Sequence, residues 1–293
     1  MLESRLYCLE KANPTVKCLP DRVNCYLDDV IRLLEQRFGK HAVVSGIIFG
    51  TQVRKRDIKP LSDCDMLIVV KDTVTRKEIK EVQPFLRALE IKHGFGKYKT
   101  GLVDATLRVV ESTTGMFVSH FICREQDMRR RDFARIFNTN KFVTLVLAPW
   151  KIVMGSVGNT GKVFFGADLR HFLRDTRPGP LQMMKSLAMD YAIAIGNIFI
   201  YPLRKTNYKY TLEAIKWSIN ACGYYLFKNG TDLNKLVPAF ANLGLAPRFL
   251  EQFMQYRNCP VRDPKFAVKA PFIITKLHAL ALKLKKIAVR VLI

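Results

Sequence analysis

With 293 residues, 49% of them hydrophobic and 25% charged, the chain has the composition of a folded protein with a large core, which excludes a disordered or fibrous class. Its 48 Lys and Arg against 25 Asp and Glu leave a net charge of +23, a field that draws polyanions such as nucleic acid or an anionic membrane surface. The seven cysteines form no CxxC pair and match no zinc spacing, and no apolar signal core opens the chain, so reduced thiols in a cytoplasmic protein are expected.

Residues 21 to 38 carry Val23, Leu27, Val30, Leu34 and Phe38 on one stripe with Gly39 after them, which predicts an amphipathic helix and its stop. Ala42 to Phe49 is a continuous run rich in Val and Ile, the pattern of a strand buried on both faces, and Met66 to Val70 reads the same way. Thr75 with Glu78 three residues on is a capping box opening a helix that Pro84 is expected to kink or restart. Val103 to Val110 alternates as a strand, placing Asp104, Thr106 and Arg108 on its polar face, and Met116 to Cys123 predicts a further strand. The four arginines 129, 130, 131 and 135 are expected on one solvated helix face.

At residues 177 to 180, RPGP breaks the chain, and Pro180 suits a helix start. Beyond it the apolar spacing is helical throughout, ending in a last helix from about Phe272. The expected organisation is therefore an α/β mixed sheet with flanking helices over 1–176, followed by an all-α bundle over 177–293. The most apolar stretch, 186 to 203, contains Asp190 and Asn197, so a buried bundle helix is expected there and no integral membrane association. The five histidines show no ligand spacing and read as structural.

The chemistry concentrates between Gly50 and Val70. Asp63 and Asp65 stand at i and i+2, so a strand turns both carboxylates to one face, where they repel unless a cation lies between them. Hard cations such as Mg²⁺ take oxygen ligands, commonly one or two carboxylates plus substrate phosphates. The Gly50–Thr51 turn lets backbone N–H groups approach a triphosphate, and Thr51 adds a hydroxyl. A third carboxylate is needed to complete a two-metal site, with Asp104 the first candidate and Glu111 its rival. An Asp-x-Asp alone is the ordinary content of a polar turn; the glycine turn and the flanking apolar strands turn the balance toward a site. Arg54, Lys55, Arg56 and Lys59 between them read either as a solvated loop or as cations facing triphosphate or RNA.

Gly50–Thr51, eleven intervening residues, and then Asp63-Cys64-Asp65-Met66 resemble the signature of the polymerase-beta-type nucleotidyltransferase superfamily, with Thr in place of the commoner Ser. The resemblance covers roughly residues 40 to 170, with GKVFFGADL (161 to 169) similar to a segment that follows the catalytic sheet. It implies transfer of a nucleoside monophosphate, AMP first, from a triphosphate such as ATP to an acceptor hydroxyl with release of pyrophosphate. It further implies two Mg²⁺ ions on Asp63, Asp65 and Asp104, with Gly50 and Thr51 cradling the phosphates. The acceptor stays open among an RNA end or other anionic molecule, a small molecule and a partner protein. A catalytically silent member that binds nucleotide or RNA as a regulatory module is the alternative.

Overall fold

The computed structural model describes residues 19–50, 64–95, 119–174, 176–200, 209–228, 232–259 and 261–291. They fall into two compact units, one within Met1–Thr144 and Val157–Asp175 and the other within Leu145–Ser156 and Thr176–Ile293. Each is built on its own core.

The first unit is a mixed sheet. Its strands are β1 (Val43–Phe49), β2 (Asp65–Val70), β3 (His120–Arg124) and β4 (Lys162–Gly166), in the spatial order β3-β2-β1-β4. The central pair β1 and β2 is antiparallel, with Ile48 opposite Met66 and Phe49 opposite Asp65. β3 runs parallel to β2, placing His120 beside Met66. Burial on both faces of β2, where Met66 to Val70 are all inaccessible, explains the unbroken apolar run.

Helices α1 (Asp21–Phe38) and α2 (Arg76–Lys92) cover one face. Val23, Leu27, Val30 and Leu34 of α1 pack with Met66, Ile68 and Val70 in one core cluster, to which Leu86 of α2 also belongs. α1 ends at Gly39 with φ 95°, a conformation glycine adopts without a Cβ penalty. α2 opens on the expected capping box: Thr75 Oγ1 accepts from the Glu78 N–H at 3.2 Å, and Glu78 Oε2 accepts from the Thr75 N–H at 2.7 Å. It continues through Pro84 as one helix, without a restart.

Two segments depart from expectation, and a third meets it. GKVFFGADL belongs to the sheet itself: β4 pairs antiparallel with β1, and Gly46 leaves room for Phe164, whose ring would lie 2.6 Å from any Cβ there. The strand expected at Met116 to Cys123 is β3 (His120–Arg124), residues 116–118 lying outside the described residues; the Met66 N–H takes the Ser119 carbonyl (2.8 Å) as the parallel ladder begins. The arginine run does not share one helix. α3 (Glu125–Arg129) and α4 (Phe133–Ile136) are separated by Arg131 in the left-handed region, and Asp132 caps the second by accepting from the Arg135 N–H.

Short helix α5 (Lys141–Val146) and helix α6 (Trp150–Thr160) lead to β4 and the one-turn α7 (His171–Arg174). The second unit is otherwise α8 (Pro180–Ile200), α9 (Lys209–Phe227), α10 (Leu233–Asn242), α11 (Pro247–Asn258) and α12 (Pro264–Val291). α8, α9 and α12 pack mutually, and the core runs through Ile215, Ile219, Phe240, Phe253, Ile274 and Leu277. α12 starts before the expected Phe272: Asp263 Oδ1 accepts from the Phe266 N–H at 3.0 Å, and Pro264 occupies the first helical position, where its missing donor costs nothing.

One polar cluster crosses this core. Ser218 Oγ of α9 donates to Asp190 Oδ2 of α8 at 2.8 Å, Ser186 Oγ lies 3.3 Å from the same oxygen, and His278 Nε2 of α12 lies 3.2 Å from Ser186 Oγ. All four side chains are buried. No helix among the described residues is long and apolar enough to cross a membrane. The five described cysteines, Cys25, Cys64, Cys123, Cys222 and Cys259, are free thiols.

Candidate active site

Of the residues the sequence singles out, Gly50 and Asp65 are described, and the fold brings them together. Thr51, Asp63, Asp104 and its rival Glu111 lie outside the described residues. β1 delivers Gly50 one position beyond Phe49, and the antiparallel register sets Phe49 opposite Asp65, the first residue of β2. Gly50 has φ 77°, in the left-handed region. A Cβ built on it would lie 2.5 Å from Asp65 Oδ2. The backbone conformation favours glycine, and a side chain here would push the Asp65 carboxylate from its place.

The two faces of β2 explain how a carboxylate survives at this edge. Cys64, Met66, Ile68 and Val70 point into the α1–α2 core, whereas Asp65 shares the other face with Leu67 and Val69. Leu67 and Val69 are fully buried; Asp65, at the strand's end, is only half-buried. On that same face Phe49 stacks on Phe121 with centroids 6.2 Å apart, and Phe121 meets Phe137 edge-on at 5.1 Å. An apolar floor therefore lies beneath the carboxylate.

Behind Asp65, on the helical face, sits a polar pair that sequence reasoning missed. The buried Tyr26 hydroxyl of α1 shares a hydrogen bond with His120 Nε2 of β3. Burial holds His120 down to about 4, so the imidazole is neutral at physiological pH. The Tyr26 phenol is raised by burial first, then by the charges of Glu90, Cys64 and Asp65. Glu90 of α2 accepts from Ser119 Oγ at 2.5 Å, tying α2 to the entry of β3. The usable signal for this pair was the place of Tyr26 on the apolar stripe of α1, three residues after Val23.

The chemical capacity of the described part is one oriented carboxylate opposite a backbone stripped of side chain. Oxygen donors of this kind suit a hard cation, and a Cβ-free approach suits a phosphate oxygen. Among the described residues no group of three or more His, Cys, Asp or Glu side chains converges to hold a metal ion.

No family model and no curated protein matches this chain. Among solved structures, a spectinomycin adenyltransferase from Enterococcus faecialis, crystallised with ATP and spectinomycin, is similar to it over 86% of this chain and 98% of its own. The two are 13% identical and superpose with a TM-score of 0.49.

Proposed function

We propose that this chain is a nucleotidyltransferase, which moves a nucleoside monophosphate from a nucleoside triphosphate, ATP first, to an acceptor hydroxyl. The acceptor oxygen forms a bond to the α-phosphorus, the bond to the bridging oxygen breaks, and pyrophosphate leaves with that electron pair. The observation that carries the reading is the fit of Gly50 over the Asp65 carboxylate at the adjoining ends of β1 and β2. A turn that excludes a side chain beside a carboxylate is what a triphosphate and its cation require of the protein.

In this reading Asp63, Asp65 and Asp104 hold Mg²⁺, and bound Mg²⁺ neutralises charge on the phosphate oxygens. Gly50 and Thr51 receive the triphosphate with backbone N–H groups and a hydroxyl, fixing it for in-line attack. Asp104 takes the proton of the attacking hydroxyl.

Incubation with each α-labelled nucleoside triphosphate, Mg²⁺ and a lysate of the source organism tests this. The expected result is a labelled product whose sensitivity to nuclease or protease assigns the acceptor to RNA, protein or small molecule. Asp65→Ala removes charge stabilisation worth several kcal/mol, so transfer should fall by about 100-fold or more. Gly50→Ala should abolish transfer as well while leaving the far-ultraviolet circular dichroism of the folded protein. Absence of any labelled product with every triphosphate, or full activity in both variants, would refute the proposal.

A further inference from the structure

A second charged site lies at the opposite end of the same sheet. β2 carries the chain away from Asp65 over six residues, about 17 Å at the usual rise, and α2 begins shortly after it. β3 runs parallel and delivers α3 and α4 to the same end. There a pocket of about 380 Å³ is lined by Arg76 and Lys80 of α2, Arg135 of α4 and Lys141 of α5, with Asn138 and Thr139 between them.

The cations are held in place without being neutralised. Asp127, almost fully buried, accepts from Arg76 Nη2 and Arg135 Nη1 at 3.4 Å each and has Arg124 Nε at 3.7 Å. Asp132 adds a second carboxylate, 3.1 Å from Arg135 Nε. Two carboxylates therefore anchor three guanidinium groups, while Lys80 and Lys141 have no ion pair among the described residues. Anchoring by a buried acid fixes the guanidinium groups before any ligand arrives, and the surplus charge faces the pocket.

An exposed aromatic residue follows Lys141 on the same short helix, α5. Phe142 follows Lys141, its N–H is fixed by Asn140 Oδ1 at 2.8 Å, and its side chain is 72% exposed. Leu145 of the same helix is equally exposed, so α5 carries an apolar face in water. Cations that can take phosphate, with an exposed ring on the helix that supplies one of them, suit single strands, because every base offers a face for stacking and every nucleotide a phosphate. The net charge of +23 supplies the long-range attraction.

We propose that this pocket and Phe142 bind single-stranded nucleic acid, with backbone phosphate between Arg76, Lys80, Arg135 and Lys141 and a base stacked on Phe142. The proposal does not rest on the transferase reading, since it concerns binding at the far end of the sheet.

Fluorescence anisotropy of labelled oligo(U) and oligo(dT) of about 12 nucleotides, titrated with the full chain across about 50 to 200 mM salt, tests it. Wild type should bind both, with log affinity falling linearly in log salt. Lys80→Ala combined with Lys141→Ala should lower that slope by about 1.4, about 0.7 for each lost phosphate contact. Phe142→Ala should weaken binding about five-fold or more with the slope unchanged, as loss of one stack predicts. Competition with inorganic tripolyphosphate separates a site for free phosphate from one for a strand. Wild-type-like binding in both pocket variants would overturn the proposal. So would tripolyphosphate held by the pocket of a protein that binds neither oligonucleotide.

Discussion

Asp190 gives the most exposed test of the second unit's core. It is fully buried, and burial pushes its carboxyl up to about 8 against the hydrogen bonds from Ser218 and Ser186, which pull it down. In the unfolded chain an aspartate titrates near 3.9. Between about pH 4 and pH 8 the native state thus holds one proton more than the unfolded state, and stability must fall as pH rises through that window. The slope is about 1.4 kcal/mol per pH unit for one proton, so about 3 kcal/mol is lost between pH 5 and pH 7. Asp190→Asn keeps the shape and removes the titration. The stability difference between Asp190→Asn and wild type should therefore shift in favour of the variant by about 3 kcal/mol over that range and level off above pH 8. Urea unfolding followed by tryptophan fluorescence reads this unit selectively, because both tryptophans, Trp150 and Trp217, belong to it. A difference that stays constant from pH 5 to pH 8 would show that Asp190 is ionised in the native core and refute the reasoning.

Tyr26→Phe should destabilise the first unit by about 1–3 kcal/mol, since it leaves the buried His120 Nε2 without its partner; calorimetry should show the loss. Gly155→Ala should cost about 1–3 kcal/mol, because the new Cβ would stand 1.9 Å from Tyr224 Oη and 2.2 Å from Thr176 Oγ1. Gly196→Ala in α8 meets no atom within 4 Å and should instead gain roughly 1 kcal/mol of helix propensity, so thermal denaturation of the pair separates packing from backbone entropy.

Local signals in the sequence carried much of this fold. The stripe from Val23 to Leu34 became a helix because those side chains reach the sheet, and Gly39 stopped it where its φ of 95° is free. β1 and β2 were readable because strands buried on both faces lose their alternation. What could not be read were pairings between distant segments. β4 joins β1 where Gly46 makes room for Phe164, and Tyr26 meets His120 across 94 residues; the stripe of α1 marks Tyr26 as buried but does not name its partner. The start of α12 was hidden by Pro271, which looks like a breaker, while the Asp263–Pro264 cap was the true signal. At the candidate site, glycine at 50 was legible as a turn residue. Its closure onto Asp65 Oδ2 was not, because that follows from strand register.

The composition of the Asp190 cluster invites a different reading of the molecule, since serine, histidine and aspartate together suggest a nucleophile. The order of contacts argues against it. In a catalytic triad the imidazole lies between the acid and the serine and receives the serine's proton. Here Ser186 Oγ lies between Asp190 Oδ2 (3.3 Å) and His278 Nε2 (3.2 Å), and His278 Nε2 stands 3.9 Å from the carboxylate. His278 Nδ1 donates to the Ile274 carbonyl at 2.9 Å, one turn back in its own helix, so Nε2 of the neutral ring can only accept. Burial keeps that ring neutral. Ser186 and Ser218 both donate to Asp190 Oδ2, so the Ser186 proton points to the acid and not to the imidazole, and Asp190 Oδ1 has no hydrogen-bond partner among the described residues. The cluster is a tie across α8, α9 and α12, and burial of all four side chains excludes substrate from it.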